Sequence, residues 1–469
     1  MRLISLKVVE AHGYLNLDVQ FNKQLTFLIG INGSGKTTVL RLIEALLTPS
    51  LQVLDKIPHK RAELRFSHEK KIIKVISKVD ETGTTIKIPF LKESGELTYS
   101  RDDLESVQVR SGSPDQSPDR NDVTNAHFAN HPVIQFLRKT IDTPLFLGLD
   151  RKNIALHFDD GAPSANPRLS PSRREMILHS MRRRMPVSGQ LGSSLVDVQV
   201  LIQEIYRKTR EEQETFARKL REQMFLHAFD VQPSAGFLRT LEQGHSMPAF
   251  LVQIASKRGD VEKALRDAGL STEQFFPVVN KFFIHVDELI KKYNETSKEE
   301  KVPPSVLVDL ALNRPVVDRI QKLIATSDSY NANVNTLWAP INTFLTLVNR
   351  FLTDTEKNLE IDQVGLLNVR LLDGTLRSLD VLSSGERQIV VILGHLAINR
   401  ELNRAGVFVV DEPELSLHLK WQQIFVDSLL EASPKNQFIL ATHSPEIVVD
   451  RTDECESLDK LVNSSSGED

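Results

Sequence analysis

The stretch GINGSGKT, Gly30 to Thr37, carries three glycines, two hydroxyls and a lysine at the spacing G-x-x-x-x-G-K-[ST]. Glycines at those places let consecutive backbone N–H groups curl around phosphate oxygens. A helix that starts there adds the partial positive charge of its N-terminus. Lys36 would then neutralise β- and γ-phosphate oxygens, and the Thr37 hydroxyl would ligate Mg2+. The expected nucleotide-contacting set is Gly30, Asn32, Gly33, Ser34, Gly35, Lys36, Thr37 and Thr38, with ATP and Mg2+ as ligands.

Three further stretches carry chemistry. VFVVDEPE, Val407 to Glu414, is an apolar run that ends in two acids. At the tip of a strand in an open α/β sheet such carboxylates face the ligand crevice. Asp411 would hold Mg2+ through water, and Glu412 would accept a proton from an attacking water or orient it. The same residues also read as a strand end followed by an acidic, helix-capping turn. Thr442-His443-Ser444 follows the apolar run Phe438 to Ala441, where His443 is placed to hydrogen-bond a γ-phosphate, although a lone histidine after a strand is commonly structural. LSSGERQ, Leu382 to Gln388, reads by itself as a capped helix start with an acid in its first turn.

These groups need strands that end at them and helices that begin at them. Leu3 to Val8, Leu15 to Phe21 and Leu25 to Leu28 read as strands, and Thr38 to Leu47 repeats apolar residues at helical spacing. Ala62 to Phe66, Ile72 to Val79, Thr84 to Pro89 and Pro144 to Leu149 also read as strands. The polar stretches Arg110 to Asp122 and Asp159 to Ser172 read as loops. From about Arg173 to Leu352 the pattern is helical. Its longest piece runs from Ser194 to about Ala228, with a seam of Leu195, Val198, Ile202, Ile205, Thr209 and Phe216 that Glu212 interrupts. Strands return at Asn358 to Ile361, Leu367 to Leu372 and Leu376 to Val381, the last after the hairpin signal Asp373-Gly374. A helix to about Asn403, the strand Val407 to Val410, a helix from near Leu419 and the strand Phe438 to Ala441 complete the pattern. The SSSGED tail reads as disordered.

The bulk composition excludes several classes. At 469 residues the chain is long enough for two or three compact units. A hydrophobic content of 40%, a charged content of 26% and a net charge of −4 are ordinary for a soluble globular protein. They exclude a uniformly basic nucleic-acid binder but leave room for a local basic patch. One cysteine, Cys455, cannot close an internal disulfide or build a cysteine zinc site, which fits a reducing cytoplasm. The N-terminus MRLISLKVVEAHGYL lacks the apolar core of a signal peptide, and no stretch approaches the roughly 20 apolar residues of a membrane helix.

The order of the motifs resembles the layout of the ABC-type ATPases. GINGSGKT is similar to their Walker A, LSSGERQ to their signature (usually LSGGQ), VFVVDEPE to their Walker B and ATHSPE to their switch-histidine segment. Ser384 stands where the usual signature has its first glycine and Glu386 where it has glutamine, and no clear Q-loop glutamine is found near Asp150 and Arg151. The wording DEPELSLH, SSGERQ and ATHSPEI resembles more narrowly the RecF, SMC and OLD group, in which a helical insertion splits the head. Stand-alone subunits of that group serve anti-phage systems such as Septu (PtuA), PARIS (AriA) and the retron-linked ATPases. The resemblance implies an α/β P-loop head split by a mainly helical insertion with a coiled-coil-like hairpin. It also implies composite sites, in which Ser383, Ser384, Gly385 and Glu386 of one protomer contact ATP on the phosphate loop of another, and slow turnover.

The expected divisions are 1–155 for the N-terminal lobe of the head, 156–355 for the insertion, 356–452 for the C-terminal lobe and 453–469 for a tail. Arg173, Arg174, Arg182, Arg183 and Arg184 open the insertion as either a nucleic-acid backbone contact or a solvated helix face. Lys291, Lys292, Lys298 and Lys301 alternate with acids as an exposed surface. Only about 25 residues follow His443, too few for a TOPRIM domain. An effector nuclease, of HNH or TOPRIM type, is therefore expected on a separate chain. The leading expectation is an ATP-hydrolysing sensor or scaffold subunit of an anti-phage complex, forming a homo-oligomer without membrane contact. The alternative is a RecF-like repair ATPase that binds DNA.

Overall fold

The computed structural model describes residues 1–48, 51–81, 83–100, 103, 128, 130–140, 145–147, 153–154, 190–228, 255–267, 277, 279–285, 287–288, 290–291, 304–398 and 406–458. The described chain forms two compact units, Met1–Glu204 with Ile341–Asp469, and Ile205–Pro340.

The first unit is built on β-sheets. Strands β1 (Arg2–Ala11), β2 (Leu15–Gln20), β4 (Arg61–His68), β5 (Lys71–Asp80), β6 (Gly83–Lys87) and β7 (Glu96–Tyr99) form one antiparallel sheet in the order β2-β1-β4-β5-β6-β7. Their alternating pattern buries Leu6, Val8, Leu64, Phe66 and Val75 and leaves the opposite face to solvent. A second sheet combines β3 (Leu25–Ile29), β8 (Leu145–Leu147), β9 (Asn153–Ile154), β13 (Val407–Asp411), β14 (Gln437–Ala441) and β15 (Cys455–Ser457), in the order β15-β3-β14-β13-β8-β9. In a third sheet, β10 (Asn358–Ile361), β11 (Leu367–Arg370) and β12 (Leu376–Arg377) form a small meander.

The three central strands of the second sheet, β3, β14 and β13, are parallel and apolar along nearly their whole length, as strands covered on both faces must be. Register places Asp411 beside Ala441, and Ala441 beside Leu28. The segments after them, which begin with Gly30, Glu412 and Thr442, therefore leave from one edge of the sheet. Helix α1 (Lys36–Leu47) lies against β4, β13 and β14. Its Val39, Leu42, Ile43 and Leu46 join a core shared with Leu6, Leu64, Val409 and Ile439. Further helices are α2 (Leu51–Asp55), α3 (Pro132–Thr140), α4 (Gln190–Ala228), α5 (Arg258–Asp267), α6 (Pro304–Leu352), α7 (Ser384–Ile398), α8 (Leu419–Ala432) and α9 (Pro445–Val448).

In the second unit α4 and α6 pair antiparallel. Tyr206 meets Trp338 edge-on at 5.3 Å, Trp338 Nε1 donates to Gln213 Oε1 at 3.0 Å, and Leu220 packs with Tyr330. Along α4 the seam residues Leu195, Val198 and Ile202 of the first unit and Ile205 and Thr209 of the second are buried, Phe216 is half-buried, and the helix runs through Glu212 unbroken. This is an α/β P-loop fold with a helical insertion.

Some expected elements differ. Leu376 to Val381 is a strand only over Leu376–Arg377 and then a 3-10 turn over Leu379–Val381. Its leucines, Leu376 and Leu379, fall three apart, which breaks the alternation of a strand. The strand Glu96–Tyr99 was not expected from its four residues, and α1 begins at Lys36 rather than Thr38.

Candidate nucleotide site

The phosphate loop takes its shape from backbone angles that only glycine adopts cheaply. Gly33 has φ 87° and Gly35 φ 97°, and Gly35 forms the N-cap of α1. A Cβ on Gly35 would also lie 2.4 Å from Leu15 Cδ2. No side chain caps α1 and no acid sits in its first turn, so the positive end of the helix is left to an outside anion. Asn32 and Gly33 are exposed and Ser34 is buried, its hydroxyl without a hydrogen-bond partner among the described residues. Lys36 is buried, its Nζ donating to the carbonyls of Gly30 at 2.8 Å and Ile31 at 3.2 Å.

The loop is joined to the tip of β13 by one hydrogen bond, from Thr37 Oγ1 to Asp411 Oδ2 at 2.9 Å, across 374 residues of sequence. Asp411 is buried and its other oxygen, Oδ1, has no hydrogen-bond partner among the described residues. Burial pushes the Asp411 carboxyl above the usual carboxylate range and Glu412 adds to this, while Thr37, Arg41 and Lys36 pull the other way. The Thr37 hydroxyl and the Asp411 carboxylate, with its buried Oδ1, are hard oxygen donors, and they fit a divalent cation such as Mg2+.

Glu412 leaves the strand in a left-handed conformation, φ 50°, with its N–H donating to the Ala441 carbonyl at 2.8 Å. That turn is unusual for a residue with a Cβ, and such strain is typical of functional sites. Two residues on, Glu414 accepts from Thr442 Oγ1 at 2.9 Å and from the His443 N–H at 2.7 Å. The backbone before His443 is thereby fixed while its imidazole remains exposed. Sequence reasoning did not single out Glu414, nor His12, whose Nε2 lies 3.3 Å from Thr38 Oγ1. The acid pair in DEPE was a signal for the first. Nothing local in AHGYL marks the second.

The signature segment is organised differently. Ser383 and Ser384 are exposed, and Gly385 is buried, where a Cβ would lie 2.3 Å from the Ser416 carbonyl oxygen. Glu386 does not point outward as a ligand-contacting group would. Its side chain is buried and accepts from the Ser383 N–H at 2.6 Å, from Thr355 Oγ1 at 2.7 Å and from Lys357 Nζ at 2.9 and 3.1 Å. Burial alone would raise this carboxyl, but Lys357, the Ser383 amide and Thr355 together hold it below the usual range. The structure therefore brings Thr37, Lys36 and Asp411 together and joins Glu414 to the His443 segment, while it anchors Glu386 in a separate cluster.

Several expected features lie outside the described residues. They are Asp150 and Arg151, the loops 110–122 and 159–172, the arginines 173, 174, 182, 183 and 184, the lysines 292, 298 and 301, and the tail SSSGED.

A family profile described as "AAA domain" matches residues 5–302, more than half of the chain. The chain belongs to that family. A second AAA-domain profile, described as "AAA domain, putative AbiEii toxin, Type IV TA system", matches residues 293–450. This AAA-domain protein is 27% identical over 220 residues to the retron Vc95 probable ATPase of Vibrio cholerae serotype O1 biovar El Tor, covering 42% of this chain and 41% of that protein. It is 33% identical over 75 residues to the retron Ec83 probable ATPase of Escherichia coli, covering 14% of each. With the chromosome partition protein Smc of Methanococcus voltae it shares 30% identity over 83 residues, 18% of this chain and 7% of that one. The matches thus span less than half the length of these curated relatives. Among solved structures, an Smc head domain from Pyrococcus furiosus with an extended coiled coil, bound to the C-terminal domain of ScpA, aligns over 95% of this chain and 91% of its own, at 12% identity and a TM-score of 0.36. Over the matched residues the chain is thus similar to retron probable ATPases and to an Smc protein. No helix among the described residues is long and apolar enough to cross a membrane.

Proposed function

We propose that the protein binds and slowly hydrolyses ATP as the sensor or scaffold subunit of a cytoplasmic anti-phage defence complex. It would form composite sites between protomers and control a separate effector nuclease of HNH or TOPRIM type. The observation that carries the ATPase part is the Thr37–Asp411 bond beside buried Lys36, which joins a phosphate loop to a strand-end carboxylate that has one oxygen to spare. The defence part is supported by the similarity to retron probable ATPases. In this reading 1–155 and 356–452 are the lobes of the head, 156–355 the insertion and 453–469 a tail.

The roles follow from position. Backbone amides of Gly30 and of Asn32 to Gly35, together with Thr38, cradle the phosphates. Lys36 leaves its loop carbonyls and offsets the β- and γ-phosphate charge. Thr37 and Asp411 would hold Mg2+, which would supply charge neutralisation. Glu412 takes or orients the proton of the attacking water, and His443, whose backbone N–H bonds Glu414, meets the γ-phosphate. Ser383, Ser384 and Gly385 serve the nucleotide on a second protomer, with Glu386 behind them.

The test is a pull-down of tagged Glu412→Gln protein from its native host, with bound protein and nucleic acid identified together. A stoichiometric nuclease supports this reading and names the effector. DNA without such a partner supports the RecF-like alternative, a clamp on DNA.

A further inference from the structure

The segment that follows α6 is braced unusually well for a connection. Asn349 Nδ2 donates to the Leu359 carbonyl at 2.9 Å and the Leu359 N–H returns a bond to Asn349 Oδ1 at 2.6 Å. Trp421 meets Phe351 edge-on at 5.8 Å and donates from Nε1 to Asp354 Oδ2 at 3.3 Å. From this rigid base Thr355 and Lys357 reach the Glu386 carboxylate, and Lys357 Nζ also donates to the Val381 carbonyl at 3.1 Å.

Glu386 in turn holds the Ser383 N–H, so the backbone that carries the two exposed signature serines is fixed by groups that precede it by roughly thirty residues. A helix start needs only its own capping box for stability. A buried carboxylate that accepts from three donor groups does more, because it removes the freedom of the cap to swing with its side chains. Groups that must meet a reacting phosphate need to be held to within about 0.5 Å, and a second layer of bonds is how that is done. The other side of the cap is fixed by backbone: Gly385 lies against the Ser416 carbonyl, four residues beyond Glu412.

The geometry points to Lys357, with Thr355, as a positioning residue for the signature serines. It acts through Glu386 and therefore on the nucleotide bound by the other protomer rather than on its own. This inference rests on the composite-site reading above. Its consequence is directional: damage to Lys357 harms the signature a chain offers, and leaves intact the phosphate loop with which the same chain binds ATP.

The test is complementation between variants. Lys357→Met is expected to bind ATP within about twofold of the parent and to lose at least about tenfold in turnover. Mixed with Lys36→Ala protein it should regain activity, because one good loop then faces one good signature. Lys357→Arg, which keeps the charge and donors, should retain most of the turnover. Normal turnover of Lys357→Met, or weakened ATP binding, would overturn the assignment. So would failure of its mixture when a control mixture of Ser384→Arg with Lys36→Ala works. If that control mixture also fails, the composite-site reading falls and the inference with it. Should Lys357→Met not fold, Thr355→Val carries the same comparison without leaving a charge buried.

Discussion

The phosphate loop and the signature segment look alike as sequences, small residues and a glycine at a helix start, yet the fold uses them in opposite ways. The phosphate loop leaves the start of α1 uncapped, with no acid in the first turn, so its positive end is available to an anion. At the signature the cap is closed from within: Glu386 takes the Ser383 N–H, and the serine side chains are what remain exposed. The two helices also treat a glutamate differently. Loss of water pushes half-buried Glu44 of α1 up to about 7, opposed by Arg41. Glu386 is fully buried, but its donors outweigh the loss of water and hold it down. One helix start is built to receive charge, the other to hold its own still.

Four experiments break or sharpen this contrast, in order of expected size. Lys36→Ala should weaken ATP binding on the order of 100-fold, about 2.7 kcal/mol, whereas Ser384→Arg should leave affinity nearly unchanged and stop hydrolysis. Equal loss of binding in both, read by nucleotide titration, would erase the distinction. Gly385→Ala meets the Ser416 backbone and should cost roughly 2–3 kcal/mol in denaturant unfolding, against about 1 kcal/mol for Gly33→Ala, where the space is open and only the positive φ matters.

Third, the glutamates should give opposite pH signatures. Glu44 has a folded value raised above its unfolded 4.5. It therefore lowers stability fully above about pH 7, and this cost disappears as pH falls toward 4.5. Glu44→Gln should flatten that slope, worth about 2 kcal/mol once discounted for partial exposure. Glu386 has a lowered folded value. Its contribution is present above the unfolded 4.5 and lost as pH falls through the folded value, so Glu386→Gln should destabilise most at neutral pH. The smallest effect is expected of Ser383→Ala. Its hydroxyl is a long 3.4 Å acceptor for the Glu386 N–H, and its loss should cost about 0.5 kcal/mol in thermal unfolding.

Much of this molecule is legible along the chain. Gly33 and Gly35 announce a loop that needs positive φ, and LTFLI, VFVVD and QFILA announce strands covered on both faces. The seam from Leu195 to Thr209 announces a packed helix. Each is a demand that a few neighbouring residues make on their own backbone or on one face of their own element, so residue type and period suffice to state it. The tertiary structure alone decided that β14 lies between β3 and β13, that Thr37 bonds Asp411, that Glu414 holds the backbone before His443, and that Glu386 belongs to Lys357 and Thr355. A carboxylate does not carry in its own letter the partner that will neutralise it. That is settled when packing brings distant segments together and a buried charge must find whichever donors the fold has placed within reach.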